Sequence, residues 1–259
     1  DVWPGDTDND FEVDVFDLVP LAIAMGAQGQ TRSNASLAWT GQSASNWGPT
    51  LPSGLDYKHA DCDGDGLVDT LDALAIGLNY GQVHSKASND NNYYDGVDAS
   101  RNSGVDLYMD SSFSVISGQT MMIPLYLGKF DAQANNILSL ALSIEYDAQL
   151  IEAGSIELIT NGSWLGNQGE DLFVISKDAS YIGQLDLGFA RINGLGVDGS
   201  GPIGFLKFTP KNLEAEEAKL SLNITEALLV DDNAQKIPLN IGSSNITVSS
   251  VVGVNETIA

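Results

Sequence analysis

The sequence predicts a mainly β protein carrying a small α module at its front. Three observations predict it: an acidic dozen that occurs twice, an apolar helical stretch behind each copy, and a switch to two-residue alternation from about residue 104. They divide the chain into a front unit over 1–87 with a long insert at 27–57, a linker over 88–103, a β-sandwich over 104–250 and a tail over 251–259.

The acidic segments are Asp6-Thr-Asp8-Asn-Asp10-Phe-Glu12-Val-Asp14-Val-Phe-Asp17 and, 55 residues later, Asp61-Cys-Asp63-Gly-Asp65-Gly-Leu67-Val-Asp69-Thr-Leu-Asp72. Both place carboxylates at positions 1, 3, 5, 9 and 12. So many like charges in twelve residues repel unless a hard cation sits among them, and Ca²⁺ takes six to eight oxygens from such a loop. The expected ligands are Asp6, Asp8, Asp10, Asp14 and Asp17 in loop one and Asp61, Asp63, Asp65, Asp69 and Asp72 in loop two. Glu12 and Leu67 stand at position 7, where the backbone carbonyl serves. Two Ca²⁺ sites are expected. Position 6 needs a backbone that side chains resist; loop two has Gly66 and loop one Phe11, which predicts a weaker first site.

Behind each loop runs an apolar stretch closed by glycine, 17–26 and 72–81. Phe16, Val19 and Ile23 align with Leu71, Leu74 and Leu78, so each repeat offers one helical face and a stop. These residues resemble the dockerins, whose paired loop-helix repeats bind two calcium ions and dock onto cohesin domains. The resemblance covers 4–26 and 59–81, places recognition positions at Val15, Phe16, Thr70 and Leu71, and departs from the family in the 27–57 insert and in helices without basic residues.

From residue 104 the chain reads as short strands between Gly, Asn, Asp and Pro turns: 122–127, 138–146, 172–176, 185–189, 203–208, 220–225 and 246–249. In 138–146, Leu138, Leu140, Leu142, Ile144 and Tyr146 alternate with Ser139, Ala141, Ser143 and Glu145, a half-buried pattern. Many such strands make a two-sheet sandwich. Gly118 to Leu127, Ile144 to Glu152 and Gly201 to Phe208 are similar to strand signatures of cohesin domains. That resemblance implies a nine-stranded jelly roll whose flat sheet face receives a dockerin. A chain resembling both halves of a docking pair implies partners that are other copies of itself, or another cohesin- or dockerin-like protein, with head-to-tail contacts that propagate into fibres. The competing expectation is a front unit packed on its own sandwich.

Net charge is -24, from 35 acidic and 11 basic residues, which opposes nucleic acid and anionic lipid surfaces. There is no eighteen-residue apolar run and no initiating methionine, so membrane insertion is not expected and a secreted, extracellular or cell-surface chain is. Sequons at Asn34, Asn161, Asn223, Asn245 and Asn255 mark candidate glycan sites. Trp3, Trp39, Trp47 and Trp164 offer rings for sugar stacking, the basis of an alternative adhesin or carbohydrate-binding reading. No enzyme is expected: His59 and His84 stand in no metal motif, and no serine lies in Gly-x-Ser-x-Gly. The lone Cys62 leaves packing and metal as the sources of stability.

Overall fold

The computed structural model describes residues 1–84, 94, 97–98, 104–110 and 114–250. Apart from Tyr94 and Val97–Asp98, the expected linker lies outside the described residues, as do the tail and Asn255.

Two sheets face each other. The smaller contains β2 (Val105–Met109), β4 (Met121–Leu127), β6 (Glu157–Ile159), β10 (Gly201–Phe208) and β13 (Leu239–Ile241), in the order β13-β2-β4-β10-β6. The larger contains β3 (Ser114–Ile116), β5 (Ala134–Tyr146), β7 (Leu172–Ala179), β8 (Gln184–Arg191), β11 (Glu217–Asp231) and β14 (Ser244–Ser249), in the order β3-β14-β11-β5-β8-β7. Short β1 (Val97–Asp98) and β12 (Lys236–Ile237) pair with β11, and β9 (Val197–Gly199) pairs with β5. Pairing is antiparallel except for β13 on β2 and β14 on β3. Alternating side chains from both inner faces, among them Ile123, Leu125, Leu142, Phe189, Leu206 and Phe208, fill the space between the sheets.

The front unit has two helices, α1 (Leu18–Ala24) and α2 (Asp72–Asn79), and a 3-10 turn at Tyr57–His59. Each helix stops where the glycine is expected, with Gly26 at φ +82° and Gly81 at φ +76°, a conformation glycine adopts without a Cβ clash. The segment after each helix pairs with the opposite acidic loop. Gly26 N–H donates to Val68 carbonyl (2.8 Å) and Val68 N–H to Ala27 carbonyl (2.9 Å); Gly81 donates to Val13 (2.7 Å) and Val13 to Gln82 (3.0 Å). The front unit is therefore pseudo-twofold symmetric.

It lies on the outer face of the larger sheet, where a second core forms. Val15, Phe16, Leu18, Val19 and Leu21 from the α1 region meet Leu138, Ala141, Ile175, Ala190, Leu228 and Val230 of the sheet. This corrects the half-buried reading of 138–146: β5 is buried on both faces from Ile137 to Ile144. A bulge where Val230 pairs Ser139 and Asp231 pairs Ile137 leaves Leu138 extra and places it in the outer core, while Ile137 belongs to the inner one. Ser139 and Ser143, covered by the front unit, donate to Phe189 carbonyl (2.9 Å) and Asp186 Oδ1 (2.7 Å), so their burial leaves no hydroxyl unpaired.

Candidate metal centres and their seat on the sheet

The two acidic loops share one backbone. Positions 4 and 6 have positive φ in both: Asn9 +59° and Phe11 +88° in loop one, Gly64 +82° and Gly66 +88° in loop two. At positions 3, 5, 9 and 12 their carboxylates share backbone donors, whereas at position 1 Asp6 accepts from Asp10 N–H and Asp61 from the N–H groups of Gly64 and Gly66. The N–H groups of Asp8 and Asp63 reach Oδ1 of Asp17 and Asp72 (3.3 and 3.0 Å), and those of Asp14 and Asp69 reach Oδ2 of the same residues (both 2.8 Å). Glu12 donates to Asp10 (2.9 Å) as Leu67 does to Asp65 (2.8 Å), and Phe16 to Asp14 (2.6 Å) as Leu71 does to Asp69 (2.7 Å). The position-12 aspartate thus ties the start of each loop to its end.

The arrangement brings Asp6, Asp8 and Asp10 together, with one carboxylate oxygen from each within 4.8 Å of the others, and likewise Asp61, Asp63 and Asp65. Asp17 and Asp72 are buried beside them and Asp14 and Asp69 are half-buried, whereas Glu12 turns its side chain to solvent. Burial pushes the carboxyls up, at Asp14 to about 8, at Asp72 to about 7 and at Asp6 to about 6, with neighbouring carboxylates adding to it. Asp8 and Asp17 are raised well above the usual range for the same reason. Buried carboxylates held this way are costly as anions without a cation. The donor set is all hard oxygen, and Asp61 Oδ2 is a buried oxygen that accepts no hydrogen bond, so the residues present fit a calcium-like ion.

Sequence reasoning missed two residues here. His84 Nε2 lies 2.8 Å from Asp6 Oδ2, its ring stacked on Trp3 (4.2 Å between centroids, 7° between planes) and edge-on to Phe11 (5.0 Å). Arg32, from the insert, places Nη1 3.6 Å from Asp61 Oδ2 and donates to Cys62 carbonyl (2.8 Å) and Gln42 Oε1 (3.1 Å). Each position-1 aspartate is thereby oriented by a nitrogen from outside its loop. No local spacing signals either contact.

The tryptophans are half-buried. Trp39 packs on Trp3 (4.9 Å), Trp47 lies over Gly29, and Trp164 donates Nε1–H to Gly201 carbonyl (3.2 Å). Asn34, Asn161, Asn223 and Asn245 are exposed, and Cys62 is buried.

The seat is tight. A Cβ on Gly188 of β8 would come within 2.8 Å of Val15 Cγ2 and 2.9 Å of Leu18 Cδ2, so glycine there lets the start of α1 rest on the strand. Tyr80 donates its hydroxyl to Asp186 Oδ2 (2.8 Å), and Lys177 Nζ donates to Gly77 carbonyl (3.1 Å). Of the resemblance's recognition positions, Val15 and Phe16 are buried at the sheet while Leu71 is exposed. Among the described residues, no helix is long and apolar enough to cross a membrane.

No family model matches the sequence, and no curated protein does either. Solved structures of cohesins do align. A chain of the Coh-OlpC–Doc435 cohesin–dockerin complex of Clostridium thermocellum is 15% identical over 59% of this chain and 97% of its own, with a TM-score of 0.48. The sixth cohesin of scaffoldin B from Acetivibrio cellulolyticus, solved with a Cel5 dockerin, is 20% identical over 57% of this chain and 99% of that one, TM-score 0.45. The cohesin module of a family 33 glycoside hydrolase from Clostridium perfringens is 18% identical over 57% and 99%, TM-score 0.44.

Proposed function

We propose that this chain is an extracellular structural and assembly protein whose front unit is folded by two calcium ions and clasps the outer sheet of its own sandwich. The observation that carries this is the pair of acidic loops, which share positive-φ positions and matching backbone bonds to Asp17 and Asp72, the first of them leading into a helix seated on β5 and β8. Asp6, Asp8, Asp10, Asp14 and Asp17 would hold one ion; Asp61, Asp63, Asp65, Asp69 and Asp72 would hold the other, with carbonyls of Glu12 and Leu67 completing the shells. Bound calcium supplies the charge that lets these carboxylates stay buried as anions, so its binding free energy becomes folding free energy of the front unit. Nothing in this arrangement needs catalysis.

The dockerin-type partner of the sandwich is then the chain's own front unit. The same two surfaces engaged between copies, by exchange of front units, would give the head-to-tail assembly that the paired resemblances imply. Their meeting within one chain favours the internal clasp. Titration calorimetry should find two calcium ions per chain, and scanning calorimetry a transition that chelator lowers while the sandwich transition stays put. No heat of binding, with the same melting in calcium and in chelator, would overturn the reading.

A further inference from the structure

The pseudo-twofold front unit uses its two helices unequally. Phe16 and Val19 are buried on the sheet and Ile23 is half-buried against it, yet the aligned Leu71, Leu74 and Leu78 are 50, 48 and 68% exposed. Thr70 and Gly77 complete that face of α2, which carries no charge. Gly77 sits within the helix, where glycine is unfavourable, and among the described residues a Cβ there would meet nothing within 4 Å.

Beside this face runs a groove of about 340 Å³, walled by Ala73, Leu74, Gly77 and Leu78 of α2 and by Phe173 to Lys177 of β7. β7 is the last strand of its sheet, paired with β8 on one side only among the described residues. An edge strand with apolar neighbours is a template for another strand.

We propose that a second copy of this chain docks here about a twofold axis, α2 stripe against α2 stripe, with the two β7 edges side by side. Two observations and the symmetry itself select that occupant. The groove is continuous with the internal interface, since Ala73 and Ile175 line the one and belong to the core of the other. Two chains at -24 repel over most of their surfaces, but the α2 face is uncharged and the one charged residue that walls the groove is the cation Lys177, so like-charged copies meet least resistance here. A twofold axis also sets β7 antiparallel to itself and makes an apolar stripe complementary to its own image. The contact closes at two copies, unlike a head-to-tail chain, and it does not rest on the calcium reading.

Sedimentation equilibrium of the full chain in calcium should show a monomer–dimer equilibrium with a Kd in the micromolar range, insensitive to or strengthened by added salt. Leu78→Glu and Leu74→Glu, at exposed sites, should each raise that Kd by about tenfold or more, an added charge desolvated at an apolar contact. Phe130→Glu, on the β4–β5 turn outside the groove and 95% exposed, should leave it unchanged. Should a glutamate variant fail to fold, hydrogen exchange of the wild-type chain decides: amides of Phe173 to Lys177 should gain protection as concentration rises. A monomer at about 100 micromolar, a dimer indifferent to Leu78→Glu, β7 amides unchanged with concentration, or mass growing beyond two copies would each overturn the proposal.

Discussion

Phe11 and Gly66 hold the same φ of +88° at equivalent places, and they reach it by different means. Gly66 has no Cβ to strain, and its neighbours depend on that: a Cβ there would lie 2.8 Å from Gly29 carbonyl oxygen and 3.0 Å from Thr31 Cγ2. Phe11 accepts the strain, of order 1–2 kcal/mol, while burying its ring against His84. Gly66→Ala should therefore destabilise the front unit by about 1–3 kcal/mol, strain and crowding adding, as a fall in the chelator-sensitive melting transition. Asp65 and Asp72 separate two roles of carboxylates in one loop. Asp65 is exposed and accepts only Leu67 N–H (2.8 Å), whereas buried Asp72 accepts from both Asp63 and Asp69 (3.0 and 2.8 Å). Asp65→Ala should weaken calcium binding yet melt close to wild type in chelator. Asp72→Ala should melt lower in both conditions, by about 1–3 kcal/mol, because two part-buried N–H groups lose their acceptor; equal melting of the two variants in chelator would contradict the assignment.

At the scale of elements, α1 on β8 is the contact that decides whether the front unit stays seated. Gly188→Ala would push a methyl into Val15 and Leu18, and it should cost about 1–3 kcal/mol in the front-unit transition with little change in the sandwich transition, read by scanning calorimetry. Much of the architecture that frames this contact is legible in the sequence. The stretches at 122–127, 172–176, 185–189, 203–208, 220–225 and 246–249 each fall within an observed strand, because period-two alternation records the inner core, although 185–189 is buried on its outer face as well. The alternation of 138–146 misleads, since Ser139, Ala141 and Ser143 are small to admit a helix rather than polar to meet water. Short strands such as β3, β9 and β12 carry too few residues for any period to show. In the candidate metal centres, the carboxylate spacing is local and therefore readable, whereas His84 on Asp6 and Arg32 on Asp61 join residues 78 and 29 apart through the fold. The unequal fates of Phe16, Val19 and Ile23 and of their partners Leu71, Leu74 and Leu78 are likewise invisible, because nearly equal sequences face different surroundings.

For the whole molecule, the raised carboxyls and the net charge of -24 act in the same direction when metal is withheld. Asp6, Asp72 and Asp14 titrate near 6, 7 and 8 in the folded chain, above the ordinary aspartate value near 4 that holds when it is unfolded, burial being the main cause. The metal-free fold therefore binds more protons than the unfolded chain across this window. Its stability is fully present below about pH 4 and is lost as pH climbs through the folded values toward 8. General repulsion among acidic groups grows over the lower part of the same range. On the proposed reading calcium would reverse the dependence, because it would compete with those protons for the same oxygens and bind more tightly as they leave. In chelator, then, the front-unit transition should fall steadily from about pH 5 to 8, and in excess calcium it should rise over that interval, so the gap between the two curves widens with pH. The sandwich transition, whose inner core is aliphatic and aromatic, should stay nearly flat in both series. Parallel curves with and without calcium would mean that the buried aspartates are neutralised by something other than a metal ion, and the clasp would then be held by packing on β5 and β8 alone.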